Sequence, residues 1–183
     1  MKKTLIIFSS VFGLSACGVL NNSSPDPIDS TPEMMHHSDD NKGSSYFPVH
    51  RAATGKKVVI FSPRATAWAA YDSSGNRVKT GRASGGKNYC ADVGRGCKTP
   101  TGKFSFYSKK GADCKSGKYP IETGGGAPMP YCMHFKGGYA MHGSYHIPDY
   151  NASHGCVRIT PSAAKWLSEN FVNNGTTMIV EGY

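Results

Sequence analysis

Apolar residues along this chain fall into three regimes. Thr4 to Leu14 is largely apolar and is followed by the small residues Ser15 and Ala16. Residues 18–50 are mostly polar and proline-bearing, with almost no apolar periodicity. From Lys57 onward, short apolar or alternating runs are separated by glycine-rich turns, the pattern of a β domain rather than a helical one. Val58–Phe61 is a compact run of strand formers, and Thr66–Tyr71 is a second strand candidate. Asp72–Asn76 reads as the turn into a third, Arg77–Ala83. Thr101–Tyr107 alternates, with aromatic residues at 104 and 106, while Met129–Phe135 and Tyr139–Met141 flank the turn Lys136-Gly137-Gly138. Thr160 as N-cap and Pro161 in the first helical position predict a helix with an apolar stripe of Ala163, Trp166, Leu167 and Phe171. Asn173-Asn174-Gly175 stops it, and Thr176–Glu181 returns as a strand. The predicted fold is mainly β over residues 51–183: a β-sandwich or partly closed barrel with one packed C-terminal helix.

The first regime changes the setting of that domain. Lys2 and Lys3 precede an apolar run too short to span a bilayer, as in an export signal. Leu14-Ser15-Ala16-Cys17 resembles the bacterial lipobox, whose cysteine is linked to diacylglycerol and becomes the acylated first residue after cleavage. That resemblance implies a signal peptide over residues 1–16 and lipid attachment at Cys17. Residues 17–50 then read as the lipidated N-terminus and a flexible tether. Gly18, where Asp would be the inner-membrane retention signal, favours the outer membrane, with the domain in the periplasm.

The formal charge is +9, and it is concentrated in the domain: from Arg51 onward there are eighteen Lys and Arg against seven Asp and Glu. Such a surface gathers anionic partners. No zinc-finger spacing, basic helix or RNA-binding aromatic signature accompanies it, so nucleic acid is not the expected partner. Cell-wall polymer or an anionic membrane surface fits an exported protein better.

Six cysteines are present, at 17, 90, 97, 114, 132 and 156. With Cys17 assigned to lipid and Cys156 to chemistry, four remain in an oxidising compartment. Closure over short stretches favours Cys90–Cys97 and Cys114–Cys132, with crossed pairings left open. Zinc ligation is the rival reading, but the set lacks a Cys-x-x-Cys pair. No metal and no cofactor are expected.

The sharpest motif is Ser153-His154-Gly155-Cys156-Val157-Arg158. A thiol attacks carbonyl carbon as its thiolate, so a catalytic cysteine needs a base or a positive field nearby. Fourteen residues before Cys156, His142 stands at the end of an apolar strand in Met141-His142-Gly143-Ser144, a rigid place from which to aim an imidazole. Together these segments resemble the signature of the L,D-transpeptidase (YkuD-like) catalytic domain: an upstream His-Gly, a variable loop, then Ser/Thr-His-Gly-Cys-hydrophobic-Arg. Thr80-Gly81-Arg82, Thr99-Pro100-Thr101-Gly102-Lys103-Phe104, the approach Phe135 to Gly143, and the closing Lys165-Trp166-Leu167 and Gly175 to Val180 match in the same order.

The resemblance implies a role for each position. Cys156 would be the nucleophile and His142 its base, oriented by the carbonyl of Gly143. Ser153, His154 and Gly155 would shape the pocket, with His154 and Gly155 joining Cys156 as oxyanion donors. Arg158 would hold a substrate carboxylate or brace the loop. The implied reaction is acyl transfer on peptidoglycan stem peptides, with a second stem, a protein lysine or water as acceptor. Water as acceptor would make an L,D-carboxypeptidase or endopeptidase, and a degenerate site would leave a cell-wall-binding lipoprotein. Three departures from the pattern stand out. The Gly143–Ser153 loop is short and holds a rival base, His146. Thr160-Pro161-Ser162 follows Arg158 where Asn and Asp are common. The four extra cysteines lie between residues 90 and 132, where family members vary and often form a lid.

Overall fold

The structure, a computed structural model, describes residues 42–183. The expected signal peptide, Cys17 and the expected tether as far as Asn41 lie outside the described residues.

Nine strands form two sheets. One is five-stranded and contains β1 (Val58–Ser62), β2 (Ala67–Tyr71), β3 (Arg77–Arg82), β4 (Gly102–Ser105) and β9 (Thr177–Val180), in the order β3-β2-β1-β9-β4. The other contains β5 (Ser108–Lys109), β6 (Met133–Lys136), β7 (Tyr139–Gly143) and β8 (Val157–Ile159), in the order β5-β6-β7-β8. The main core lies between them. Val59 and Phe61 of β1, Trp68 and Ala70 of β2, and Met178 and Val180 of β9 face Met133, Met141, Val157 and Ile159. In β1, β2, β6, β8 and β9 every second residue points into this core, as the period of two requires. The result is mainly β with two sheets and one short helix and no closed barrel, in keeping with the sandwich or partly closed barrel expected.

The helix starts as its sequence dictates. Thr160 accepts the N–H of Ala163 on its hydroxyl, Pro161 opens α1 (Pro161–Trp166), and a π-helical turn, Leu167–Phe171, continues it. Ala163, Ala164, Leu167 and Phe171 are buried against the core, whereas Trp166 is only partly buried, stacking on Phe171 at 5.5 Å.

Two features depart from the pattern-based reading. First, β8 was not anticipated: three residues directly after Cys156 give too short a run to show alternation. Its parallel pairing with β7 sets Met141 opposite Val157 and His142 opposite Arg158. Second, residues 42–50, read from composition as the end of the tether, pack on the outer face of the five-stranded sheet. Phe47 is 3% exposed there, joining Val58, Ile60, Ala67, Ala69 and Tyr71 in a second small core. Tyr71 donates its hydroxyl to Pro48 O at 2.7 Å, and Arg77 donates to the carbonyls of Ser44 and Phe47. This strap explains why β1 and β2 are buried on both faces.

Candidate active site

Cys156 immediately precedes β8. Since Val157 lies opposite Met141, continuing the register sets Cys156 beside Ala140, and strand alternation puts Ala140, His142, Cys156 and Arg158 on one face. Val157, Ile159 and Met141 point the other way into the core. His142 and Cys156 are therefore diagonal neighbours on adjacent strands, a spacing that long side chains bridge.

His142 is buried, and its Nδ1 lies 2.9 Å from the carbonyl oxygen of Gly143. A carbonyl only accepts, so Nδ1 carries the proton and Nε2 is left as the base. Burial, opposed by that hydrogen bond and aided by the charge of Arg158, pushes the His142 pKa down to about 4. Gly143 is fixed in turn: its N–H donates to Pro130 O at 2.8 Å, and a Cβ there would meet Pro161 at 2.9 Å.

Cys156 is half-buried and is the free cysteine among the described residues. Burial pushes its thiol pKa up, while a hydrogen bond from the Ala140 backbone and the charge of Arg158 pull the other way. The resting pair is accordingly a neutral thiol beside a neutral imidazole.

The turn before Cys156 is held by its own hydroxyl. Ser153 donates from Oγ to Cys156 O at 2.6 Å and accepts the Gly155 N–H at 2.9 Å. This corrects one assigned role. The Gly155 N–H is engaged inside the turn and is not free for the oxyanion role expected of it. Gly155 matters for shape instead: its φ is +127°, and a Cβ would strike Tyr139 at 2.5 Å. Thr99 donates from Oγ1 to Gly155 O at 2.8 Å and braces the turn from behind.

The structure joins Cys90 to Cys97 and Cys114 to Cys132. The two disulfide-closed loops build one wall of a cleft with two lobes, of about 460 and 230 Å³, that share Ser116, Tyr119, Met129, His154 and Cys156. Arg95, Lys118 and His134 line the larger lobe, and His142, His146 and Arg158 the smaller. Of the sequence-derived site, His142, Ser153, His154, Cys156 and Arg158 line the cleft, whereas Gly143 and Gly155 do not. His146 is exposed, and its N–H is held by the Ser144 hydroxyl at 3.1 Å, while its ring has no orienting partner comparable to that of His142.

Asp92, Arg95 and Tyr119 were not found from sequence. His154 donates from Nε2 to Asp92 Oδ2 at 2.6 Å and stacks on the Tyr119 ring at 4.4 Å. Arg95 donates to the Tyr119 hydroxyl at 3.3 Å, which ties the first disulfide loop to the second. Cys90, Asp92 and His154 also present ligand atoms within 4.8 Å of one another. The Cys90 sulfur is committed to a disulfide and carries no thiolate charge, so the grouping is a poor metal cradle as it stands.

A family model described as the L,D-transpeptidase catalytic domain (YkuD) matches residues 55–180. The chain belongs to this L,D-transpeptidase family. Among solved structures, an L,D-transpeptidase from Xylanimonas cellulosilytica is similar at 30% identity with a TM-score of 0.63, covering 75% of this chain and 66% of that one. A mutant of the Enterococcus faecium L,D-transpeptidase is similar at 22% identity and a TM-score of 0.57, covering 69% and 50%. The L,D-transpeptidase LdtMt1, solved in complex with imipenem, matches at 21% and 0.58, covering 69% and 59%. The latter two speak for the fold alone. The chain spans about half to two thirds of the length of these L,D-transpeptidases. No curated protein matches it.

Proposed function

We propose that this chain is a periplasmic L,D-transpeptidase that acts on peptidoglycan stem peptides through a thioester on Cys156. The observation that carries the reading is the half-buried Cys156 at the junction of two lobes, diagonal to a histidine whose Nδ1 is tied to a carbonyl and whose Nε2 is left as base. Nothing in a site built only for binding calls for that pair.

The geometry supports the following steps. A stem peptide enters one lobe and brings the carbonyl of its third residue to Cys156. The thiol passes its proton to His142 Nε2 as sulfur attacks, so the thiolate forms only as it is consumed. The N–H groups of His154 and Cys156 receive the oxyanion, a contribution of about 3 kcal/mol per donor in comparable enzymes. The C–N bond to the terminal D-alanine breaks, and the leaving amine takes the proton back from His142. An amine entering by the other lobe then attacks the thioester and releases the thiol. Arg158, half-buried beside His142 and without an acidic partner among the described residues, suits a substrate carboxylate.

The reading includes a lipid anchor at Cys17, supported by the lipobox resemblance. Purified protein incubated with disaccharide-tetrapeptide should yield a cross-linked dimer by mass spectrometry. Tripeptide alone would make it an L,D-carboxypeptidase, and no product would remove the enzymatic reading. A Cys17→Ser protein should lose its place in the membrane fraction; processing and retention as in the wild type would remove the anchor.

A further inference from the structure

Asp92 lies on neither sheet. It sits on a single 3₁₀ turn, Ala91–Val93, inside the loop closed by Cys90–Cys97, and it reaches 62 residues along the chain to His154. At 2.6 Å the contact is a charge-assisted hydrogen bond, and it holds the Asp92 carboxyl below the usual carboxylate range. Tyr119, from the loop closed by Cys114–Cys132, covers the face of the same imidazole at 4.4 Å. Arg95 closes the triangle by donating to Tyr119. Edge and face of the His154 ring are thus both fixed, each by a different disulfide loop.

The fixed ring stands at the junction where both lobes meet Cys156. Because Nε2 donates to a carboxylate, Nδ1 is left as the basic nitrogen of the neutral ring. No hydrogen-bond partner of Nδ1 is found among the described residues.

Two proton transfers have to be handled in acyl transfer through this cleft. The thiol proton goes to His142, as described. The second belongs to the acceptor: a primary amine arrives from water as an ammonium ion and cannot attack until it has lost a proton. His142 is buried with its Nδ1 tied to Gly143 O, and its free Nε2 serves the thiol in that reading. His154 is the imidazole that lines both lobes.

We propose that Asp92 is a positioning residue for the second half-reaction, holding His154 so that its imidazole takes the proton of the incoming ammonium group as the thioester is resolved. The ammonium N–H bond breaks towards His154. The freed lone pair forms the C–N bond to the thioester carbonyl, the C–S bond breaks, and the sulfur regains a proton from His142, which has taken the second amine proton. His154 then returns its own proton to solvent. The inference rests on the acyl-transfer reading and adds to it a residue from the loop insert.

The test separates the half-reactions in the full-length protein. Donor acylation is followed as D-alanine release, and resolution as amide formation from the preformed thioester with an added amine. Asp92→Ala should lower the ratio of aminolysis to acylation rate about tenfold or more, a loss below the 10²–10⁴-fold of removing a general base because Asp92 acts only through His154. Asp92→Asn, which keeps a side-chain oxygen to accept from His154, should recover part of that ratio. Circular dichroism and the disulfide count establish that each variant is folded, and Asp92→Asn stands in if Asp92→Ala is not. An equal fall in both half-reactions would reduce Asp92 to a structural brace and overturn the proposal, as would no change in either. Failure of the wild type to form any thioester would overturn the acyl-transfer reading and this inference with it.

Discussion

His142 donates its Nδ1 proton to the carbonyl oxygen of Gly143 at 2.9 Å, a bond made within its own strand end. It fixes both the tautomer and the direction of the ring without recruiting an acidic third residue. A neutral carbonyl does little to favour an imidazolium, so burial dominates and the pKa falls to about 4.

That depression sets a pH dependence with a definite sign. Between pH 6.5 and about 4 the unfolded chain binds a proton at residue 142 that the folded chain refuses. The stability attached to neutral His142 is complete above pH 6.5, falls as the pH drops through this window and is gone below about 4. The whole effect is of order 3 kcal/mol. Urea unfolding of the wild type and of His142→Gln at pH 7 and pH 4.5 should show a steeper loss in the wild type. Equal losses would mean that residue 142 does not titrate in that window. The same depression keeps Nε2 unprotonated well below neutrality, so Cys156 acylation should show no inflection near pH 6.5.

The strap gives a second expectation. Phe47 is almost fully buried, and large-to-small changes of this kind cost about 3–5 kcal/mol. Phe47→Ala should lower the melting temperature clearly, and a chain starting at Arg51 should be less stable than one starting at Lys42. Identical thermal unfolding of the two chains would show that the strap adds nothing.

Much of the site was legible because its chemistry is local in sequence. Ser153 to Arg158 and Met141 to Gly143 are short segments whose residue types state the reaction, and the parallel pairing of β7 with β8 then brings them together. The same locality explains what was missed. Asp92 and Tyr119 act on His154 across 62 and 35 positions, and nothing near either residue announces a partner. Their one signal was enclosure between the extra cysteines, which makes a loop rigid but not obviously directed. The strap was hidden by composition: Tyr46-Phe47-Pro48-Val49 is a four-residue apolar island in a polar stretch, too short to carry a period. The engaged Gly155 N–H depends on where the Ser153 hydroxyl points, which a motif does not specify.

Reduction should separate structure from chemistry. Each bridge closes a short loop, and such bridges typically add 2–4 kcal/mol. Reducing both should lower the melting temperature and loosen the cleft wall that carries Arg95 and Tyr119. In native protein lacking residues 1–17, thiol titration should find the single thiol of Cys156. Five titratable thiols in the freshly purified protein would remove both bridges from the active form.

The choice of base is open to a direct comparison. A carbapenem offers a strained carbonyl that should acylate Cys156 and stay there, giving one added antibiotic mass on the intact protein. Cys156→Ala should abolish the adduct. His142→Ala should slow its formation by about 10²–10⁴-fold, the usual worth of general-base assistance. His146→Ala should leave the rate nearly unchanged, since that ring is exposed and its loop is held through backbone rather than imidazole. Both histidines line the smaller lobe, but only His142 is buried with its ring held by a hydrogen bond, so the time course distinguishes them. Wild-type acylation in His142→Ala together with collapse in His146→Ala would move the base to the loop and leave the Gly143 hydrogen bond a purely structural tie. An adduct that survives Cys156→Ala would place the nucleophile elsewhere, since the other cysteines of the described domain are held in disulfides.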